Sequence, residues 1–111
     1  MNLDNTEYTH VRLTQYQITT IKNIIHLVLG DDKQTTIYLF GSRVDLNKRG
    51  GDIDLFIETN AELENSVDTA CLIYAKIIMA LGDQKIDVLL KDNKTQECAI
   101  FETARRTGVI L

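Results

Sequence analysis

Residues 39–58, LFGSRVDLNKRGGDIDLFIE, constrain this chain more than any other stretch. Apolar residues run into Gly41 and Ser42, and a polar loop bearing Gly50 and Gly51 follows. Asp52 and Asp54 then interrupt a run built from Ile53, Leu55, Phe56 and Ile57. Side chains alternate along a strand. Asp52, Asp54, Phe56 and Glu58 therefore share one face, and Ile53, Leu55 and Ile57 form a core face on the other. A sheet holding this strand must leave the carboxylate face in contact with water or a cation.

The surrounding sequence supplies the rest of an α/β domain. Residues 14–29 read as a helix, with Thr14 as its cap and Ile18, Ile21, Ile25 and Val28 at helical spacing. TTIYLF, 35–40, reads as a strand, as do DIDLFIE, 52–58, and KIDVLL, 85–90. A long helix is expected over 61–81, with Val67, Cys71, Ile73, Tyr74, Ile77, Ile78 and Leu81 as its buried side and Gly82 as its stop. A last helix is expected over 95–107, followed by an apolar tail, VIL. The order predicts an α/β sandwich with a small sheet of three or more strands, whose pairing direction periodicity leaves open.

At 111 residues the chain fits one domain, 1–111, with 1–12 expected as a flexible N-terminal segment. No apolar run reaches the roughly 18 residues of a membrane span. The polar, acidic start, MNLDNTEYTH, does not resemble a secretory signal. A net charge of −4 argues against broad nucleic-acid binding. Cys71 and Cys98 lack CxxC spacing and sit in apolar, helical-looking contexts. They are expected as buried free thiols, consistent with a reducing cytoplasm. His10 and His26 have no metal-ligand spacing.

The strand over 85–90 repeats the alternation, with Ile86, Val88 and Leu90 on one side and Lys85, Asp87 and Leu89 on the other. If the two strands are neighbours in matching register, Asp52, Asp54 and Asp87 converge at one end of the open face. Two unit charges ~5 Å apart at an effective dielectric of ~20 repel by about 3 kcal/mol. Such a cluster calls for a cation or a proton. Hard divalent ions such as Mg²⁺ take oxygen ligands and bind substrate phosphates as well. The competing reading is a polar face on which the aspartates are solvated and apart.

The loop favours the first reading. Gly41 lets backbone approach a ligand closely, while Ser42 supplies a hydroxyl and can cap a short helical turn. Backbone N–H groups at such a turn suit phosphate. Arg43, Lys48 and Arg49 add positive charge against Asp45 alone, and Gly50 and Gly51 let the chain swing back into the next strand. Phosphate donors, a basic loop and an acidic metal cage within one short segment describe a nucleotide-metal site.

These residues resemble the signature of the DNA polymerase beta-like nucleotidyltransferase superfamily. Here it reads Gly41-Ser42, nine intervening residues, Asp52-Ile53-Asp54, and a third acidic residue, Asp87, on a later strand. The wording GSRV…GGDIDL and the ending ARRTGVIL resemble its minimal members, the MNT proteins, over nearly the whole chain after residue 13. The loop is one residue shorter than their commonest pattern, and GSRVDL stands where GSRARG is frequent, so a second glycine is missing.

The resemblance implies a polymerase beta-like palm fold, an α/β domain with a small mixed sheet and helices packed on one face, and metal-dependent nucleotidyl transfer. Asp52, Asp54 and Asp87 would be catalytic and would hold metal, expected as two Mg²⁺ ions. Gly41, Ser42 and Arg43 would bind the phosphates of a nucleoside triphosphate, with ATP as substrate. Minimal members often pair with a separately encoded helical HEPN protein in toxin-antitoxin systems, where the MNT antitoxin can transfer AMP to a tyrosine of the toxin. A similar role is the leading expectation here. The alternatives are a non-catalytic nucleotide-binding subunit that neutralises its partner by occlusion, and a nucleotidyltransferase acting on a small molecule. Phe56 and Leu89 on the open face suit nucleotide, partner or the chain's own loops. Arg105 and Arg106 are expected as solvated last-turn residues.

Overall fold

Helix α1, Gln15–Leu29, starts where Thr14 caps it. The Thr14 hydroxyl accepts from the Gln17 N–H, and the Gln17 side chain accepts in return from the Thr14 N–H, closing a capping box. Ile18, Ile21 and Ile25 are its buried residues. The computed structural model describes residues 11–30, 34–48, 50–82 and 84–111. The expectation of a flexible segment over 1–12 falls mostly outside these residues, as does His10. Val11 and Arg12 are described and docked, with Val11 buried in the core.

Strand β1, Thr35–Phe40, leads into a 3-10 turn, Gly41–Val44. Then come β2, Ile53–Thr59, helix α2, Ser66–Leu81, and β3, Ile86–Lys91. Helix α3, Ala99–Thr107, and a short β4, Val109–Ile110, complete the chain. The sheet order is β3-β2-β1-β4, with β2 and β3 parallel and both other pairings antiparallel. The fold is thus the expected small mixed α/β sheet. The apolar tail adds a strand that periodicity did not reveal, its Val109 and Ile110 pairing with Leu39 and Tyr38.

One face of the sheet carries the main core. Ile37 and Leu39 of β1 and Ile53, Leu55 and Ile57 of β2 pack with Ile21 and Ile25 of α1 and Ile73 and Ile77 of α2. Fully burying one such side chain stabilises the fold by roughly 1.5–3 kcal/mol. Both long helices lie on this face, as expected. The shorter α3 departs from that plan and covers part of the opposite face, where Phe101 and Ala104 bury Phe56 against Tyr38, Phe40 and Leu89. The rings of Tyr38, Phe56 and Phe101 form a stack with centroid separations of 5.6 and 5.1 Å. Phe56 is therefore a core residue of a second, small cluster, covered by a helix of its own chain.

Helix α2 is shorter and more exposed than its sequence suggests. It begins at Ser66, because Asn65 caps it by accepting from the Asp68 N–H. The preceding residues form a loop held by Asp92, whose carboxylate accepts from the Leu63 N–H. Val67, Tyr74 and Cys71 are exposed, and only Ile73 and Ile77 are fully inside. β3 is the edge of the sheet, so little lies beneath the outer side of α2. Cys98 is exposed as well, at the cap position of α3, so neither cysteine is the buried thiol expected. Helix α3 starts at Ala99 rather than 95 because Thr95 folds back onto Asp92.

Candidate active site

The open end of the second sheet face is set by strand register. Asp54 of β2 stands opposite Asp87 of β3 on one side and Phe40 of β1 on the other. Asp52 lies one alternation step before Asp54, at the same end of the sheet. The next row along the face is Tyr38, Phe56 and Leu89, the row covered by α3. The structure thus brings Asp52, Asp54 and Asp87 to one sheet end, with an aromatic and aliphatic wall behind them.

Electrostatics reflect the crowding. Asp54 is held above the usual aspartate range, first by partial burial and then by the negative charges of Asp87 and Asp52. A hydrogen bond shared with Asp87 adds to the shift. Asp52 and Asp87 are exposed and Asp54 is half-buried. Among the described residues, no three acidic, histidine or cysteine side chains are already drawn together as a closed metal cage. Asp54 and Asp87 are register partners on adjacent strands, and Asp52 adds its charge.

The turn after β1 is built against these carboxylates. Gly41 has φ +76°, a backbone region that L side chains rarely adopt, and a Cβ there would overlap Asp54 Oδ2. Gly51, with φ +91°, packs the same way against Ser42 Oγ. Glycine at these positions lets the turn, the carboxylate and the start of β2 approach within contact distance. Ser42 does not cap the turn: Phe40 occupies the cap position without a side-chain bond. The Ser42 carbonyl accepts from the Asp45 N–H at 3.1 Å, while its hydroxyl makes no hydrogen bond among the described residues.

Arg43 is differently placed. Its guanidinium donates to the Arg12 carbonyl at 2.8 Å and the Gly51 carbonyl at 3.3 Å. It staples the loop to the N-terminal segment, and burial together with the nearby Arg12 charge lowers its pKa. Arg49 lies outside the described residues.

Several residues that position the site gave little or no sign in the sequence. Arg12 donates to the carbonyls of Ser42 and Asp45. Its only trace was the alternation Val11-Arg12-Leu13, with both apolar neighbours buried. Arg105 is not the solvated residue expected. It makes a two-pronged pair with Glu58 at 2.8 and 2.9 Å, bonds Glu97 at 2.7 and 2.9 Å, and lies 5.6 Å from the Phe56 ring centroid. These contacts, Glu97 foremost, raise its pKa and lock α3 over β2. Arg106 is exposed and faces Glu102 at 4.0 Å.

Comparison with known proteins agrees with this architecture. The family described as "Polymerase beta, Nucleotidyltransferase" matches residues 22–111. No curated protein matches the sequence. A similar solved structure is that of the tri-AMPylated Shewanella oneidensis HEPN toxin in complex with MNT antitoxin. The similarity has a TM-score of 0.54 at 23% identity and covers 85% of this chain and 70% of that one. At that identity it speaks for the fold. The family match spans most of the chain, including the Gly41-Ser42 turn and all three aspartates, and the chain belongs to the polymerase beta-type nucleotidyltransferase family.

Proposed function

We propose that this protein is an MNT-type antitoxin that transfers AMP from ATP to a hydroxyl of a HEPN-type partner protein. The observation carrying the proposal is the register pairing of Asp54 with Asp87, beside a glycine turn that presents a free serine hydroxyl. The solved structure of similar fold contains an AMPylated HEPN toxin bound to an MNT antitoxin, which supplies the substrate class and the partner.

The residues fit a divalent-cation site. Asp54 is pushed toward protonation first by partial burial and then by the charges of Asp87 and Asp52, and a bound cation would relieve the charge repulsion. Asp52, Asp54 and Asp87 would hold Mg²⁺, with two ions as the working number. Bound ions supply positive charge to the phosphate oxygens and to the attacking and leaving oxygens.

The chain's own groups do the rest. Ser42 Oγ and the backbone N–H groups of the Gly41–Val44 turn hold the outer phosphates. Gly41 keeps that turn against Asp54. Asp87 lies on the edge strand and is exposed, and in this reading it takes the position nearest the acceptor hydroxyl. The acceptor oxygen forms a bond to the α-phosphorus as the bond to pyrophosphate breaks, and the hydroxyl proton leaves to solvent or to Asp87. This reading places the protein in the cytoplasm with its partner.

The test is incubation with α-labelled ATP and Mg²⁺, with and without a HEPN-type partner protein. Label on the partner is the expected result. Binding of ATP with no label on any acceptor contradicts the enzymatic reading and supports occlusion. Label on a small acceptor in place of the partner contradicts the choice of substrate.

A further inference from the structure

The Gly41–Val44 turn is held from behind by a residue outside the matched family segment. Arg12 precedes α1, and the family match begins at residue 22. Its Nε donates to the Asp45 carbonyl and its Nη2 to the Ser42 carbonyl, each at 2.8 Å. The backbone completes the link: the Arg12 N–H donates to the Arg43 carbonyl at 2.8 Å, and Arg43 Nη1 returns a bond to the Arg12 carbonyl at 2.8 Å. Each arginine thus binds the other's segment.

The carbonyls gripped by Arg12 are not arbitrary. The Ser42 carbonyl also accepts from the Asp45 N–H, and the Asp45 carbonyl from the Lys48 N–H. These two bonds define the turn and the loop that leaves it. A Cβ at Gly51 would overlap Ser42 Oγ and lie 3.8 Å from Arg12 Nη2, so the start of β2 closes the same knot. A planar guanidinium can satisfy two carbonyls at fixed separation, whereas an ammonium cannot reproduce that fork. The knot sets the guanidinium groups of Arg12 and Arg43 against the turn that carries the Ser42 hydroxyl. Val11 and Leu13, both buried, anchor Arg12 on either side.

We propose that Arg12 is a positioning residue of the nucleotide site, which clamps the Gly41–Val44 turn in its phosphate-receiving conformation and adds positive charge behind it. The link to nucleotide rests on the proposed function; the clamp does not.

Hydrogen exchange and Mg²⁺·ATP titration on the full chain test the two parts, using wild type, Arg12→Ala and Arg12→Lys. In Arg12→Ala the Asp45 and Lys48 amides exchange about tenfold faster, the scale set by one lost hydrogen bond, while core amides such as Ile77 keep their protection. ATP affinity falls about tenfold in the same variant, and Arg12→Lys, which keeps the charge without the fork, recovers part of the affinity but not the amide protection. Unchanged exchange at Asp45 and Lys48, or acceleration spread evenly over the core, overturns the clamp. Faster loop exchange with unchanged affinity, in a protein whose wild type binds ATP, overturns its role at the site. A wild type that binds no ATP contradicts the proposed function, and the exchange data then still decide the clamp.

Discussion

Asp54 on β2 and Asp87 on β3 are direct register partners, and Asp87 is one of the causes that hold the Asp54 pKa above the usual aspartate range, after partial burial. Two carboxylates set side by side favour a proton on one of them or a cation beside both. The consequences of that pairing differ for folding and for function.

For folding, the pair is a liability at neutral pH. The raised pKa of Asp54 means the folded state prefers its protonated form. Its stabilising contribution is complete below its ordinary value of 3.8 and is lost as pH rises through the higher folded value. Asp54→Asn removes the charge and keeps the shape. The variant is expected to melt higher than wild type at pH 7, by about 1 kcal/mol of stability. The gap should shrink to nothing as pH falls below the ordinary value. Thermal melts of both proteins across pH, without metal, check this. A variant less stable than wild type at pH 7 contradicts it.

Asp92 has the opposite sign. Burial alone would raise its pKa, but bonds from the Thr95 hydroxyl and the N–H groups of Leu63, Lys94 and Thr95 hold it below the usual range. Its contribution is present above its ordinary 3.8 and is lost as pH falls through the lower folded value. Asp92→Ala leaves those donors without their acceptor and frees the loops before α2 and α3. The expected cost is roughly 3 kcal/mol at pH 7. Denaturant unfolding should show the gap from wild type narrowing in acid. A constant gap from neutral pH down into strong acid would mean the loss is packing, not charge.

Two substitutions in the turn separate backbone from hydroxyl. Gly41→Ala places a methyl on Asp54 Oδ2 and forces a side chain into a positive-φ backbone, so it should displace the carboxylate and abolish nucleotide binding. Ser42→Ala removes one donor that no described protein group uses. It should leave the melting temperature unchanged and weaken ATP binding about tenfold to a hundredfold, as expected for one charge-assisted bond. Calorimetric titration of Mg²⁺·ATP into both variants reads the difference. Equal affinity in Ser42→Ala and wild type would remove the hydroxyl from the phosphate grip.

Much of this arrangement was legible in the sequence because it is local. Thr14 and Gln17 lie three residues apart, and the alternation that puts Asp52 and Asp54 on one face is a property of any strand. The convergence with Asp87 needed only a neighbour relationship, and parallel β2–β3 register supplies it. What escaped depends on distance or on the width of the sheet. Arg12 reaches carbonyls 30 and 33 positions away, which no spacing rule encodes. Val67, Cys71 and Tyr74 have core-like spacing, yet they overhang an edge strand with too little sheet beneath to bury them. Phe56 shares the carboxylate face by alternation, but the sequence did not reveal that Phe101 of α3 would cover it.

The most direct measurement of the central claim is the single-turnover rate of AMP transfer to the proposed HEPN-type partner, in wild type and in Asp54→Asn at matched folding. Loss of one member of the carboxylate cluster should slow transfer by about a thousandfold or more, while the variant remains folded and bound to its partner. Transfer by Asp54→Asn within a few fold of wild type would contradict the assignment of this sheet end as the active site.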